Sequence, residues 1–478
     1  MSLVSPCTMQ TITAHHLTQF HLCPCALYLD SHGPQEEKSD PHPFLEYLQN
    51  LGSDHETAIA AQIPHSPIPD GPIPERAHNT HQLMMRGAER IYQPVLLTPP
   101  LLGIPDFLER TEIPSTLGPH SYRPVDVKIA SSLHPEHLLQ LAFYGLLLGR
   151  IQGVIPETGD LILMDGGRET IQLSDHIPQV EEAIVEVEAI QAGREEEPCL
   201  STHCGMCPWE EHCLEIMKAK QDLSLLNGLS RGRKGALNGA GYFDLNDIAN
   251  ASPDALSEVR GVGERTAHRM ILQAEVLLQN EPRILVTPEL SRKEVELYLD
   301  MECQQGSQVI YLIGVLEVGR NGAERYQAFL AERPEDEEAM WAEFLDYLDV
   351  LPDEITIYHY HNFESTHLRK LSERHGLEEG LRVKLFDNLI DLHSVLKQFA
   401  VLPVYSYGLK SVAKWMGFSW REKGSDAAMS MLWFDLWLST GDRKYLELAV
   451  EYNEDDCRGT RAVREWVGGP RYQSIREG

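Results

Sequence analysis

The stretch VELYLDMEC, residues 295–303, decides the fold of the C-terminal part of the chain. It has the composition of a strand, and Asp300 and Glu302 are two residues apart, so both carboxylates project from the same strand face. The next run, VIYLIGVLEV at 309–318, predicts the neighbouring strand of a hairpin. Alternating strand-like and helix-like runs then continue to the end. The pattern predicts an α/β domain with two acids side by side on one strand.

Three further acids follow along the C-terminal part of the chain. The run EITIYHYHNFE, residues 354–364, predicts a third strand that ends in Glu364, and LIDLHSVL at 389–396 contains Asp391. The run LAVEYNEDDCRGTRAV at 448–463 predicts a helix, on which Tyr452 and Asp456 are four apart and share a face. A single acid on a strand is usually solvent-facing, but an ordered set of this kind favours a metal-dependent active site.

This ordered set resembles the DEDD exonucleases of the DnaQ-like, ribonuclease H-like superfamily. The resemblance implies two divalent metal ions, Mg²⁺ or Mn²⁺, and phosphodiester hydrolysis. Tyr452 would orient or activate the water, and Asp391 would be a ligand of second rank. Glu364 departs from the family, which usually has Asp at that position. The implied metal ligands are Asp300, Glu302, Glu364 and Asp456.

A second set of polar residues lies in the N-terminal third. In VDVKIA, residues 125–130, Asp126 and Lys128 share one strand face, and GIPDF places Asp106 after a tight turn on a neighbouring strand. Upstream, GSDHE puts His55 in a predicted helix. Downstream, QLAFY places Gln140 and Tyr144 on one helix face (140–144). An acid can hold a divalent metal there while a lysine orients water or stabilises developing charge.

The order His, Pro-Asp, Asp-x-Lys, Gln-x-x-x-Tyr resembles the RecB-type PD-(D/E)XK nucleases over roughly residues 10–215. The resemblance implies a restriction-endonuclease-like domain in which His55, Asp106 and Asp126 bind the metal. Lys128 would be catalytic. Gln140 and Tyr144 would lie beside the site on the following helix.

Nine cysteines are present, and Cys204, Cys207 and Cys213 fall within ten residues. This spacing is typical of zinc and iron–sulfur ligands. The candidates for a fourth ligand are Cys23, Cys25, Cys199 and His203. RecB-type nucleases with a 4Fe-4S cluster carry one distant upstream cysteine before a proline, which favours Cys23; Cys25 and zinc stay as alternatives. A metal at these positions would hold the two ends of the domain together.

The middle segment is helical and punctuated by glycine. Gly261-Val262-Gly263 lies between two helical runs, and this turn resembles the helix-hairpin-helix motif, whose backbone amides can bind a DNA phosphate. Arg265 adds positive charge beside Gly261 and Gly263, as do Arg260 and Arg269. The preceding run RKGALNGAGYFDLNDIA reads as a degenerate second copy. The alternative is a spacer or a protein contact.

Length and composition agree with several folded domains. At about 150 residues each, 478 residues suggest three domains: a RecB-type nuclease at 1–220, a helix-hairpin-helix domain at 221–283 and a ribonuclease H-like exonuclease domain at 284–478. The net charge of −31 argues against passive coating of nucleic acid, although an acidic chain can carry a local basic groove. We found neither a signal peptide nor an apolar run long enough to cross a membrane, which favours a cytoplasmic protein.

Together the motifs predict a nuclease with two metal-dependent sites, acting on nucleic acid, with DNA favoured, as an exonuclease in repair, recombination or defence. Two alternatives stay open. In one, the chain is a nucleic-acid-binding scaffold whose sites are inactive, which the Glu364 departure and the acidic charge favour. In the other, one site works and the second domain only grips the substrate. Separate substitutions at Asp126 and Asp300 distinguish the three possibilities.

Overall fold

We describe a computed structural model of the chain, and the described residues are 11–130, 132–286, 288, 290, 292–304, 306 and 309–469. The chain divides into two compact units, Met1–Glu215 and Ile216–Gly478. The division of the second unit at residue 283 stays a prediction. Within the described residues, no helix is both long and apolar enough to cross a membrane.

The first unit contains two sheets. The larger has six strands in the order β2-β3-β6-β7-β8-β9, and the smaller has three in the order β1-β5-β4. In the larger sheet β6 and β7 form an antiparallel hairpin, whereas β7 and β8 are parallel. The strands are β1 (Ile12–Thr13), β2 (Ser66–Pro67), β3 (Arg90–Tyr92), β4 (Leu96–Thr98), β5 (Leu101–Gly103), β6 (Phe107–Thr111), β7 (Ser121–Val127), β8 (Thr158–Ile162) and β9 (Arg168–Gln172).

Seven α-helices begin among the described residues of this unit. They are α1 (Ala14–Leu22), α2 (Pro24–His32), α3 (Pro43–Gln62), α4 (Ile73–Met85), α5 (Pro135–Gln152), α6 (Ile177–Gln191) and α7 (Glu210–Lys220).

Helix α5 is the centre of the first unit's core. Its sequence is apolar on most sides, so it packs against β7 and β8 of the large sheet and also against α1 and α6. Phe143 and Leu147 are fully buried there. The helix ends at Gly153, whose φ of 75° is the left-handed conformation that glycine adopts without a steric penalty. The buried helix fixes where the side chains of its polar edge meet β7.

The second unit begins with a helical segment. It contains two turns of the same kind, each at a glycine with positive φ that closely precedes a helix, and the first of them is at Gly228. The second turn is at Gly261, as the sequence predicts. The helices are α8 (Arg231–Gly239), α9 (Leu245–Ala249), α10 (Pro253–Ser257) and α11 (Glu264–Gln279).

The rest of the second unit is a five-stranded mixed sheet in the order β13-β12-β11-β14-β15, with helices packed against it. The predicted hairpin is present, with Asp300 opposite Gly314 in the register of the first two strands. The strands are β10 (Arg283–Ile284), β11 (Val295–Cys303), β12 (Ile310–Gly319), β13 (Glu324–Leu330), β14 (Ile355–His359), β15 (Leu389–Asp391) and β16 (Ala400–Val401), of which β10 and β16 form a separate pair.

The helices of this part carry the remaining site residues. They are α12 (Glu337–Val350), α13 (Phe363–His375), α14 (Glu379–Phe386), α15 (Leu392–Phe399), α16 (Leu409–Trp415), α17 (Ala427–Thr440) and α18 (Arg443–Gly468).

The expectation that Glu364 ends a strand is wrong. Strand β14 ends at His359, and Glu364 lies in the first turn of α13. The chain leaves the strand direction at His361, which has a φ of 75°, and the helix starts directly afterwards. The apolar alternation that suggested one continuous strand therefore stops five residues earlier than the acid.

A ladder of charges crosses the large sheet of the first unit. Glu109 of β6 is opposite Arg90 of β3 and Arg123 of β7, and its carboxylate is 2.9 Å and 3.1 Å from their guanidinium nitrogens. Arg168 pairs with both Glu109 and the buried Asp160. Burial alone would raise the pKa of Glu109, but the arginines, Arg168 first, lower it to about 2. Cross-strand pairs of opposite charge stabilise a sheet.

We expect Glu109→Gln to lower the free energy of unfolding of the first unit by about 2 kcal/mol at neutral pH, because three arginines lose a common partner. Since the folded carboxyl titrates near pH 2 and an unfolded one near its usual pKa, this contribution is complete above the usual pKa and falls as the pH drops toward 2. Denaturant unfolding at several pH values measures it.

The matched control is Glu112→Gln, because Glu112 is 80% exposed and contacts Arg110 alone among the ion pairs of the described residues. We expect a change within about 0.5 kcal/mol for this variant. Equal effects of the two substitutions would show that the ladder does not stabilise the sheet.

Candidate active sites and nucleic-acid interface

Three carboxylates meet where β11 faces α18. Asp300 and Glu302 come from the strand and Asp456 from the helix, and their ligand oxygens all lie within 4.8 Å of one another. Glu302 and Asp456 are buried, whereas Asp300 keeps some exposure. Within the described residues, this is the one set of three acidic, histidine or cysteine side chains that comes so close.

The helix can approach the sheet here because β12 has a glycine at the crossing point. A Cβ atom on Gly314 would lie 1.6 Å from the amide oxygen of Asn453. In the space left by the glycine, Asn453 donates to Asp300 (2.8 Å) and accepts from the Tyr326 hydroxyl (2.9 Å). Asn453 therefore holds one of the acids in place. Sequence analysis missed Asn453, although it is three residues before Asp456 on the same helix.

Burial raises the pKa of all three carboxyl groups, and the charge of Asp456 adds to the shift at the two strand acids. Burial, and then the charge of Asp456, raise the pKa of Asp300 well above its usual range and that of Glu302 to about 8. Burial raises the pKa of Asp456 to about 6, although hydrogen bonds from Trp420 and Tyr452 oppose the shift. Like charges so close are unfavourable without a cation. A cluster of carboxylate oxygens is the donor set that Mg²⁺ or Mn²⁺ prefers, so the residues fit such an ion.

A shell of larger side chains surrounds Asp456. The indole nitrogen of Trp420 donates to Asp456 (2.6 Å), and Tyr452 interacts with it from one helical turn away. The ammonium of Lys410, in α16, lies 4.9 Å from the centre of the Tyr452 ring and 5.7 Å from that of Trp420. Lys410 was not predicted, because the segment SYGLKSVAKWMGF gives no sign that it folds back onto α18.

Two predicted acids lie outside the set of three. Glu364 is buried, and its carboxylate is 3.4 Å from the Nδ1 atom of His359. Its charge is one of the causes that raise the pKa of Asp300, so it is close to the cluster. Asp391 caps α15: its carboxylate accepts from the amides of His361 and His393, each at 2.9 Å. As a metal ligand, Asp391 would have to give up part of this capping role.

The acid cluster opens onto a cavity of about 490 Å³. Asp300 and Asp456 form part of its wall. The other lining residues are Asn227, Tyr360, His361, His393, Lys397, Ser406, Tyr407, Gly408 and Leu409.

The N-terminal set forms a chain of contacts across the β6–β7 hairpin and α5. Asp106 accepts from the amide of Val127 (2.6 Å), and Asp126 accepts from the amide of Asp106 (3.3 Å). The Lys128 ammonium is 2.7 Å from Asp126 and donates to Gln140 (2.8 Å). Five of the six predicted residues are thus brought together; the last of them, Tyr144, accepts from Gln140 at 2.8 Å.

His55 lies in α3, as predicted, and its Nε2 atom is buried with no hydrogen-bond partner among the described residues. Its neighbour Glu56 was missed. Burial, Asp126 and then Glu56 raise the pKa of Asp106 well above its usual range. Burial would lower the pKa of Lys128, but the carboxylates around it, Asp126 first, raise it above its ordinary value. A third carboxylate therefore belongs to this group.

The clustered cysteines lie together in the first unit. Cys207 and Cys213 pack with Cys23, Cys25 and the buried Trp209. The Cys23 thiol is near enough to raise the pKa of Cys204 and Cys207, in both of which burial is the larger cause. Cys25 is hydrogen-bonded to Cys213. Both upstream candidates are therefore next to the cluster, whereas Cys199 is buried beside the carbonyl of Leu200.

The helical segment contains two turns of the same conformation. Gly261 has a φ of 83°, and Gly263 follows as the N-cap of α11. The matching turn is Gly228 (φ 75°), with Ser230 as the N-cap of α8. The sequence predicts the first copy within the run RKGALNGAGYFDLNDIA, but in the structure this copy begins upstream of that run. The signal missed was Gly-Leu-Ser, in which serine replaces the second glycine because it can cap a helix itself.

Comparisons with known proteins agree with this architecture. Residues 297–468 match the family described as the RNase H superfamily, and residues 220–275 match the SAM-like helix-hairpin-helix tandem. Among curated proteins, none matches the chain. The second unit thus carries a ribonuclease H-like domain and a tandem helix-hairpin-helix domain. These two domains point to a nucleic-acid-binding protein with nuclease activity.

We expect magnesium to stabilise the second unit through the three carboxylates. At about one hundred times its dissociation constant, the ion should add about 2.7 kcal/mol to the free energy of unfolding. Asp456→Asn should lose most of this gain and should be more stable than the parent without the ion, because one buried like charge is removed. Thermal unfolding with and without magnesium measures both effects.

The comparison is made in an Asp126→Ala background, so that any binding of magnesium at this residue does not contribute. Asp346→Asn is the control, since Asp346 is exposed on α12. If Asp456→Asn gains as much from magnesium as Asp346→Asn does, the three carboxylates are not the binding site.

Proposed function

We propose that the chain is a metal-dependent exonuclease that hydrolyses phosphodiester bonds in DNA. The observation that supports this most is the set Asp300, Glu302 and Asp456, three carboxylates within 4.8 Å of one another in a ribonuclease H-like domain. Two of them also line the cavity of about 490 Å³, which gives a substrate access to them. The helix-hairpin-helix tandem in the same unit supports nucleic acid as the substrate.

In this proposal the three carboxylates, with Glu364 as a fourth, hold Mg²⁺ or Mn²⁺. Divalent ions at such a site stabilise the attacking and leaving oxygens of the displacement. Asn453 and Trp420 keep Asp300 and Asp456 in fixed positions through hydrogen bonds of 2.8 Å and 2.6 Å. Tyr452 orients the attacking water. The Lys410 ammonium above the Tyr452 ring restrains this tyrosine and offsets part of the negative charge.

We propose a second nuclease site of the RecB-like PD-(D/E)XK kind in the first unit. The continuous contacts from Asp106 through Asp126 and Lys128 to Gln140 support it. An ion pair that only stabilised the fold would more often lie on the surface, whereas the Asp126 and Lys128 side chains are both largely buried. His55, Asp106 and Asp126 would hold the metal ion. The ammonium of Lys128 then stabilises charge that develops on the phosphate.

We further propose that Cys23, Cys204, Cys207 and Cys213 hold a 4Fe-4S cluster, with zinc as the alternative metal. The proximity of Cys23 to Cys204 and Cys207 supports Cys23 as the fourth ligand. The hydrogen bond between Cys25 and Cys213 keeps Cys25 as its rival. A cluster here would join the start of α2 to α7 and to the segment that precedes α7.

Cleavage assays on end-labelled single- and double-stranded DNA and RNA test the two sites. We expect Asp300→Ala and Asp126→Ala each to remove one component of the activity, by at least about a hundredfold, because each loses a metal ligand. The double variant should be inactive, and Asp346→Ala should behave as the parent.

The outcomes distinguish a nuclease with two active sites from one with a single active site and from a scaffold. If Asp300→Ala leaves all products unchanged, the proposed exonuclease site fails and the domain only grips the substrate. If Asp126→Ala changes nothing, the second site fails. A parent protein without magnesium-dependent cleavage would be a scaffold.

Anaerobic purification tests the cysteine cluster. We expect a brown protein with visible charge-transfer absorption and about four irons per chain. Cys207→Ser and Cys23→Ser should lose iron and the visible absorption, whereas Cys199→Ser should keep both. A colourless protein that contains zinc would overturn the iron–sulfur assignment, and a cluster lost with Cys25→Ser but kept with Cys23→Ser would exchange the fourth ligand.

A further inference from the structure

A second cavity, of about 220 Å³, lies between the starts of α8 and α11. Three arginines line it, and none of its lining residues is acidic. The chain as a whole has a net charge of −31, so this group of arginines is a local region of opposite charge. We refer to this cavity as the arginine pocket. Its lining residues are Leu226, Asn227, Leu229, Arg233, Arg265, Thr266, Arg269, Met270 and Gln273.

The arginine pocket contains an unsatisfied donor. Gln273 is only 5% exposed, and its amide nitrogen has no hydrogen-bond partner among the described residues. A buried donor without an acceptor has an energetic cost, because it has lost its hydrogen bonds to water. An anionic oxygen in the pocket would remove this cost and would at the same time neutralise the arginines. The combination therefore selects a ligand with several acceptor oxygens and negative charge, which describes a phosphate.

Two of the arginines are held in place by the protein itself. Arg233 donates to the carbonyls of Gly261 (3.1 Å) and Gly228 (3.4 Å), so it joins the two hairpin turns. Arg269 donates to the carbonyl of Lys397 (3.2 Å). Arg265 is exposed and reaches the pocket from the first turn of α11. The pocket thus has a fixed frame and one accessible cation.

The arginine pocket adjoins the cavity of the carboxylates. Asn227 lines both cavities, and its side chain donates to the carbonyl of Tyr405 (3.3 Å). Arg269 makes a second connection, because its partner Lys397 and the neighbouring Tyr407 both line the carboxylate cavity. The two cavities are therefore neighbours that share Asn227 as a wall residue.

We infer that the arginine pocket binds a backbone phosphate of the same nucleic-acid strand whose terminal phosphodiester lies at Asp300 and Asp456. This inference rests on the proposed nuclease function and adds a subsite to it. It differs from phosphate binding by the amides of the hairpin turn, because its donors are side chains on the faces of α8 and α11. The pocket holds the strand on one side of Asn227 while the carboxylates act on the other.

Binding of labelled single-stranded oligonucleotides to the full chain, with magnesium chelated to prevent cleavage, tests the inference. Affinity should rise once the strand exceeds about four nucleotides, a length within the range for single-strand grooves. Arg265→Ala should weaken binding of a strand of about twelve nucleotides by about tenfold and should reduce the salt slope by about 0.7, because one phosphate contact is lost. Gln273→Leu should weaken binding without changing the slope.

Arg382→Ala is the matched control, since Arg382 carries the same charge on α14, with only Glu379 as an ion-pair partner among the described residues. Circular dichroism confirms that each variant is folded. If Arg265→Ala and Gln273→Leu bind long strands as tightly as Arg382→Ala does, the inference is wrong. Inorganic phosphate could instead stabilise the parent but not Arg265→Ala, while the affinity for oligonucleotides shows no dependence on strand length. This result would assign the pocket to a free anion and reject the binding of a strand phosphate.

The failure of the inference differs from the failure of the proposed function. A small phosphodiester, such as the p-nitrophenyl ester of thymidine monophosphate, is too short to reach the arginine pocket. Magnesium-dependent hydrolysis of this ester, together with strand binding that is unaffected by the two variants, would reject the subsite and keep the nuclease. A protein that neither binds strands nor hydrolyses the ester would reject both.

Discussion

The close approach of α18 to the sheet at Gly314 is the constraint on which the C-terminal site depends. Because Gly314 has no side chain, Asn453 fits over the strand and donates to Asp300, which is opposite Gly314 in the register. The same approach brings Asp456, one helical turn further along, within 4.8 Å of the two strand acids. Any side chain at position 314 would displace Asn453 and so separate the helix acid from the strand acids.

This arrangement carries an energetic cost that the fold must offset elsewhere. Three carboxylates share a buried site. Burial raises the pKa of each, and the charge of Asp456 raises the pKa of Asp300 and Glu302 further. The surrounding donors, Trp420 and Asn453, and the nearby Lys410 reduce this cost without removing it. If these three positions served only the stability of the fold, apolar residues would be expected there, since buried like charges do not stabilise a fold. The cost is understandable if selection acted on cation binding.

Sequence periodicity predicted the parts of the fold that local geometry controls. The period of two predicted that Asp300 and Glu302 share a strand face and that Asp126 and Lys128 lie together, and both hairpins are present; Lys128 itself directly follows β7. Glu364 was misplaced because the reversal at His361 depends on a residue with positive φ, which periodicity does not show. Lys410 and Glu56 were missed because they reach their sites through tertiary contacts between segments far apart in sequence.

The net charge of the chain has a different meaning once the positions of the charges are known. A value of −31 counts against a protein that coats nucleic acid, but the charge is not evenly distributed. Three acids meet where metal ions would neutralise them, and three arginines meet in a pocket without acidic neighbours among its lining residues. In the proposed function, the net negative charge of the chain would repel a nucleic-acid strand on average, so a few fixed cations beside the carboxylates can determine where the strand enters. Net repulsion with local attraction therefore favours engagement of the strand at that pocket over general adhesion.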